Sequence, residues 1–552
     1  MFRTFTNSGR FLSKKYYQTK LFIQEIMKNL ILFLALSLIT WAATAQKNMS
    51  MLGQLSYSES LSDIWGYVDE EGNEYALVGV YDGFSVVDIS DPSSPEEIFF
   101  GPGPQSIWRD IKTWGDYAYV SNETWGGVYI VDLSPLPGGS ITNTTNFTGS
   151  TYPFQTIHNL YIDESGKLYI FGSNNGNGGA IICDLTQDPM NPVELGRFNT
   201  YYLHDGMARG DTLWGAAIYQ GVLAAIDVSD PSNTQIMGTV STPSQFTHNT
   251  WVSDDGSHVF TTDEVNSGFI GSYNVTDVTN MFEVDRIRSS PGTSVIPHNV
   301  HVQDDFLVTS YYTDGIVVHD AKYPDRLVEV ANYDTSPNFS GGGFDGSWGA
   351  YPYLPSGLIL ASDIQEGLYI LDIDYVRASF LEGVVADANT GNPLFNVSVE
   401  IVGTGQVTQT AFDGAYEFGS TISGTFDVEY SKAGYTDKVM ENVQITNGEI
   451  TNLDVELDNL FVGLDEETGR EIEISMYPNP FRQDIAVEFN LEDQGGPLTV
   501  SIFNTMGKEM ETIAAVNDQD RLSLGNTLPS GIYFIRISSG SRLIKAERII
   551  KY

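Results

Sequence analysis

FSVVDIS (84–90), VYIVDLS (128–134), AIICDLT (180–186), LAAIDVS (223–229), FIGSYNVT (269–276), IVVHDAK (316–322) and LYILDID (368–374) are seven versions of one apolar strand ending in an acidic or amide residue. The anchor residues Asp88, Asp132, Asp184, Asp227, Asn274, Asp320 and Asp372 stand 44, 52, 43, 47, 46 and 52 residues apart. A period of about 40 to 50 residues built from strands and turns indicates a β-propeller, one blade per repeat. The chain therefore reads as all-β, with a seven-bladed propeller over 47–376.

Within a repeat, a Gly-containing turn joins a second apolar strand to the anchor strand, as in ALVGVYDGFSVVDIS (76–90), which is hairpin chemistry. Asp-Pro or Pro punctuation follows, as in DISDPSSP and DVSDPSN, where Asp holds its own turn and Pro supplies the φ. A fourth strand comes next, such as VELGRFNTY (193–201) or TQIMGTV (234–240). The last repeat lacks one. MLGQLSYS (51–58) resembles it in pattern and belongs to no repeat, so it is expected to close the ring on the seventh blade.

The formal net charge is −43, and the first 46 residues are net basic, so the remainder is more acidic still. Such a surface repels nucleic acid and anionic membrane. Cys183 is the only cysteine, which excludes an intramolecular disulfide, and its apolar strand marks it as a core residue. Met27-Lys28-Asn29, the apolar run Leu30–Leu38 and Ala43-Thr44-Ala45 before Gln46 read as a signal peptide over about 27–45. Residues 1–26 fit no such signal, so translation is expected to start at Met27, and the mature chain carries no transmembrane segment.

All seven histidines lie between 158 and 319. Four open a repeat in the same way: His158-Asn159, His204-Asp205, His248-Asn249 and His298-Asn299. Arg109-Asp110 holds the matching place in the second repeat, and Trp65 and Trp348 lie near it in the first and seventh. Equivalent positions of successive blades converge on the axis, so these residues form a candidate binding cluster. His158, His204, His248 and His298, with Asp263 and Glu264, offer N and O ligands to a divalent metal ion in the channel. Such a site binds through neutral imidazole and should weaken below about pH 6.5. The plainer reading is that these polar groups bond the backbone of the next blade. Trp65, Trp108, Trp348, Tyr351 and Tyr353 are candidates for an aromatic rim able to stack on sugars or peptides.

Residues 379–458 change style to LEGVVADANTGNPLFNVSVEIVGTG, TAFDGAYEF and FDVEYSKAGYTDKVMENVQI. This resembles the carboxypeptidase regulatory-like domains, which implies a non-catalytic β-sandwich spacer. A charged linker follows over 459–471. Residues 472–552, with MYPNPF (476–481), LPSGIYFIRI (528–537) and the basic end LIKAERIIKY, resemble the type A C-terminal sorting domain of the Bacteroidetes type IX secretion system. That resemblance implies a second small β-sandwich, engagement of the type IX machinery, cleavage of the domain, and a secreted or cell-surface product. The propeller itself is similar to the choice-of-anchor B family of LVIVD repeats through DIWGY (63–67), WRDIK (108–112), THNTW (247–251), PHN (297–299) and SWGAYPYLPSGLILASDIQEGL (347–368). This implies fold and location but no reaction. The expected function is an extracellular binding module for a glycan, peptide or protein. A metal-dependent hydrolase or lyase, with Arg109 holding an anionic group, is the alternative.

Overall fold

The computed structural model describes residues 46–460, 474–489, 498–505, 507–516, 521–539 and 542–552, and these contain strands and turns but no helix. The expected signal peptide, upstream extension and most of the linker lie outside the described residues. No helix among them is long and apolar enough to cross a membrane. The chain forms two compact units. Of the described residues, one holds those up to Phe380 with Gly419–Gly424 and Ile445–Thr451, and the other holds those in Leu381–Phe418, Thr425–Gln444 and Asn452–Tyr552.

The region 46–373 contains seven antiparallel sheets among the described residues. Their first strands are Leu61–Val68, Ile111–Trp114, Asn159–Ile162, Asp205–Arg209, Thr247–Val252, Val300–Gln303 and Ser347–Tyr351. Each lies beside the first strand of the next sheet, and the last lies beside the first. This closed circle of inner strands is the geometry of a β-propeller. Third strands such as Gly83–Asp88 and Ile316–Asp320 are apolar without alternation because neighbouring sheets cover both faces. Fourth strands such as Gln235–Ser241 lie at the perimeter and are mostly half-exposed.

The anchor residue has a local cause. The side chains of Asp88, Asp132, Asp184, Asp227 and Asp320 each accept the backbone N–H two residues on, at 2.8–3.0 Å. Each fixes the turn that ends the third strand. Asn274 does the same at 3.2 Å, so the amide replaces the carboxylate without loss of the turn.

Met49–Leu55 supplies the fourth strand of the seventh sheet, pairing antiparallel with Gly367–Ile373 from Met49↔Ile373 to Leu55↔Leu368. It begins two residues before the expected 51–58 and stops before Ser56. Gln46–Lys47 also pairs with Asn332–Tyr333 of the sixth sheet, so the N-terminal segment joins two neighbours. The glycine shared by these outer strands has a steric origin. A Cβ at Gly53, Gly196 or Gly238 would stand 1.9–2.0 Å from the carbonyl oxygen of Pro92, Pro231 or Val278, each in the turn region following the next sheet's third strand.

Residues 379–457 form two sheets. One is built around Ser379–Asp387, with Ala415–Ser420 and Ile450–Asn452 on either side and Val455–Leu457 parallel to it. The other orders Gln406–Gln409, Ser398–Ile401, Gly424–Ser431 and Lys438–Ile445. Beyond the linker, a three-stranded and a four-stranded sheet share a core that includes Phe481, Val487, Val500, Leu522 and Ile535.

Candidate functional site

The register of the inner strands stacks the axis in layers. Ser62, Arg109, His158, His204, His248, His298 and Trp348 occupy one repeat position. Asp63, Asp110, Asn159, Asp205, Asn249 and Asn299 follow it, and Trp65, Lys112, Tyr161, Met207, Trp251, His301 and Tyr351 stand three residues on.

The four histidines form a continuous arc. Ring centroids are 4.0 Å apart for His158–His204, 4.2 Å for His204–His248 and 4.5 Å for His248–His298, and the Trp348 ring lies 4.7 Å beyond. The ends of the arc are held differently. His158 Nδ1 bonds the Glu123 carboxylate, presented by a loop in which Asn122 Oδ1 accepts the N–H groups of Thr124 and Trp125 at 2.7 and 3.0 Å. His298 Nδ1 donates to the Trp348 carbonyl at 2.5 Å, which leaves Nε2 as an acceptor. The rings of His204 and His248 each face the backbone of the next histidine, repeating the His298–Trp348 arrangement, although their Nδ1 atoms form no hydrogen bond of good geometry among the described residues.

Glu264 faces this arc. Its Oε2 lies 3.6 Å from His248 Nε2 and its Oε1 3.9 Å from His298 Nε2, while Tyr312 Oη donates to Oε1 at 2.6 Å. His248, Glu264 and His298 each offer a ligand atom within 4.8 Å of the others, the one such group among the described residues. Burial pushes the Glu264 carboxyl up to about 7 and His298 down to about 3, and holds His248 well below 6.5 with help from His204. Burial therefore favours the neutral form of both the His248 and the His298 imidazole and the protonated form of the Glu264 carboxyl.

Several expected site residues turn elsewhere. Asp263 points away from Glu264, as neighbours on a strand do. Its oxygens accept from Thr242 Oγ1 at 2.6 Å and from the N–H groups of Ser244 and Phe246, which pins the loop before the inner strand. The Arg109 guanidinium is spent on the carbonyls of Val80, Tyr81 and Pro104, and burial lowers it to about 10. It is a loop brace. Asp205 accepts from Asn249 Nδ2 at 2.6 Å, and Asn249 Oδ1 takes the Val300 N–H at 3.0 Å, a blade-to-blade bond. Asp110 is buried, with its carboxyl raised well above the usual range by burial and by Asp63.

The expected aromatic rim divides. Trp108 is exposed, but Trp348 is buried beside His298, and Trp65, Tyr351 and Tyr353 pack together with Trp251 and His301 along the axis. These rings fill space between blades because their strands place them inside. Trp125 (64 %), Tyr219 (76 %), Phe344 (58 %), Phe246 and Trp108 are exposed in loops at the end where the inner strands begin, whereas exposed Phe100 and Phe282 lie on perimeter strands. Tyr202 and Tyr219 meet at a tilt with centroids 4.9 Å apart, and Phe344 meets Tyr312 edge-on at 5.3 Å, which links the rim to Glu264. Trp125, Tyr219 and Phe344 were not selected from the sequence. Their positions in Gly-bounded turns, where a large apolar side chain has little to bury against, are the signal that could have found them.

Residues 71–100, 108–136 and 217–242 match the LVIVD repeat. Three stretches of the propeller thus carry the LVIVD repeat. Residues 381–458 match the carboxypeptidase regulatory-like domain, and 475–551 match the secretion system C-terminal sorting domain. The last marks the chain for export by the type IX secretion system, to a secreted or cell-surface location. A β-propeller domain of Cps50 (Swd1) from Myceliophteria thermophila is similar in fold at 11 % identity and a TM-score of 0.41, over 59 % of this chain and 100 % of that one. No curated protein matches.

Two histidines away from the arc predict an acid sensitivity of the propeller. His301 and His319 are buried, each with a ring nitrogen lacking a partner among the described residues, and burial holds both down to about 3. Lys112 and His298 add to the effect at His301, and Lys47 at His319. Between about 3 and the unfolded value of about 6.5 the unfolded chain binds more protons. Stability should therefore fall as pH drops through that window, by up to about 1.4 kcal/mol per pH unit per histidine. Melting curves from pH 7.5 to 4 check this: His301→Phe with His319→Leu should flatten the decline relative to the parent chain.

Proposed function

We propose that the LVIVD propeller is an extracellular binding module whose ligand lies across the end carrying the histidine arc. The observation that supports this reading is the gathering of exposed Trp108, Trp125, Tyr219, Phe246 and Phe344 on loops at that one end. Exposed aromatics set around a polar centre are a common composition of binding surfaces. Exposed amides accompany them at Gln105, Gln220 and Gln245, each within three residues of a ring. Aromatic faces take the C–H faces of sugars, amides bond hydroxyls, and a chain of net charge −43 disfavours anions, so a neutral glycan fits best. The resemblance to choice-of-anchor B proteins supports the same arrangement, with a cleavable sorting domain delivering a propeller on a β-sandwich spacer. The hydrolase or lyase alternative has less support, because Arg109, its expected anion holder, is occupied by carbonyls.

A glycan array probed with the full chain tests the reading. Binding to neutral polysaccharides that disappears in the double variant Trp125→Ser, Tyr219→Ser is expected. An empty array beside strong signals on a peptide array would replace the glycan with a polypeptide. Binding unchanged in the double variant would remove the proposed surface.

A further inference from the structure

We propose that His248 Nε2, His298 Nε2 and the Glu264 carboxylate bind one divalent transition-metal ion of the zinc class at the propeller axis. The geometry goes beyond the binding-module reading and stands without it. The two N···O separations, 3.6 and 3.9 Å, are too long for hydrogen bonds. They exceed by about 0.3 and 0.6 Å the roughly 3.3 Å between ligand atoms around a tetrahedral ion with bonds of about 2.0–2.1 Å, so a small inward shift of the side chains would bring them to an ion. His248 faces Oε2 and His298 faces Oε1 of the one carboxylate, and one ligand atom from each of the three residues lies within 4.8 Å of the others, which leaves room for an ion between them.

The surroundings orient the donors. His298 gives its Nδ1 proton to the Trp348 carbonyl, which Ser310 Oγ also donates to at 2.7 Å, so Nε2 is fixed as the lone-pair nitrogen facing Glu264. A backbone carbonyl on the far nitrogen is the usual support of a metal-bound histidine. Tyr312 Oη holds Glu264 Oε1 and orients the carboxylate, leaving Oε2 toward His248. His248 is buried, and the backbone of His298 lies against its ring as the Trp348 carbonyl lies against His298, which turns its Nε2 toward Glu264.

Ligand chemistry selects the ion. Two imidazoles and one carboxylate suit zinc, cobalt or iron(II), whereas calcium and magnesium take oxygen ligands. Three protein ligands leave a fourth position for water or a group of a bound molecule. His204, 4.2 Å from His248 by ring centroid, adjoins that set, while His158 is committed to Glu123.

The test uses the chelator-treated full chain, with zinc followed by calorimetry and cobalt(II) by its visible absorption. One ion per chain, with cobalt bands of a low-symmetry tetrahedral site, is expected. Glu264→Gln keeps the Tyr312 bond and should weaken zinc binding by about 100-fold or more, as should His298→Asn, whereas His258→Ala, outside the arc, should bind as the parent does. Melting curves establish that each variant is folded, and should His298→Asn fail to fold, Glu264→Gln decides alone. No zinc or cobalt binding by the parent chain would overturn the proposal. So would parent-like affinity in Glu264→Gln, or calcium occupying the site against zinc.

Discussion

A chain that starts at Ser56 rather than Gln46 is expected to lose its cooperative native fold, or to melt at least 10 °C lower. Removing Met49–Leu55 strips the seventh sheet of its fourth strand and exposes the ladder of Gly367–Ile373 as an unpaired edge. The lost bonds extend beyond that ladder. Asn48 Nδ2 donates to Val330 O at 2.8 Å, Lys47 Nζ to Glu329 O at 2.8 Å, and Asp374 N to Asn48 O at 2.9 Å. Met49 is buried in a cluster that also holds Tyr333, Tyr369 and Leu371. With net values of about 1 kcal/mol per hydrogen bond and about 2 kcal/mol for the methionine, the loss is on the order of 5 kcal/mol or more, a large share of ordinary domain stability. Circular dichroism melts and size exclusion of the truncated chain measure it. A melting temperature within about 2 °C of the parent would show that the ring needs no such closure.

Lys112→Met should destabilise the propeller by about 3–5 kcal/mol. Lys112 is buried in the axial channel, with Nζ 3.6 Å from Asp63 Oδ2, 4.2 Å from the Trp65 ring centroid and donating to Ile111 O at 2.9 Å. Asp63, Asp110 and Asp205 are buried around it, and burial raises all three carboxyls above the usual range. Without the ammonium, the Asp63 charge that accepts the Ile111 N–H at 3.1 Å has no counter-charge in a water-poor channel. The double variant Lys112→Met, Asp63→Asn should recover much of the loss, because a neutral amide still accepts that N–H. Denaturant melts of both variants decide the matter. A single variant as stable as the parent, or a double variant less stable than the single, would contradict the account.

The parts of the fold legible in the sequence were those governed by local geometry. Asp88 and its equivalents recur because each closes its own turn, and Asn274 is tolerated because an amide oxygen does the same. The histidine arc was legible because one repeat position maps onto one height along the axis. Side-chain direction beyond the strands was not. Arg109 and Asp263 carry charges that suggested a ligand, yet nearby backbone groups take them, since a buried charge settles on whatever partners its loop provides. Trp65, Tyr351 and Tyr353 fill space between blades because the inner strand turns them inward, whereas Trp125 and Tyr219 stand out because their loops have no neighbour to cover them. Glu123 and Tyr312, which hold His158 and Glu264, follow no repeat that marks them, and only the closed ring brings them to the arc.

The most direct measurement is a titration of the strongest array ligand against three full chains: the parent, Trp125→Ser with Tyr219→Ser, and Phe282→Ser. Phe282 is as openly exposed as the rim residues but sits on a perimeter strand of the fifth sheet. If the axial end is the binding surface, the rim variant should lose at least about 30-fold in affinity, the loss of roughly 2 kcal/mol expected of hot-spot aromatics, and Phe282→Ser should bind as the parent does. Equal affinity in the rim variant, or a loss confined to Phe282→Ser, would place the ligand on the side of the propeller and contradict the account.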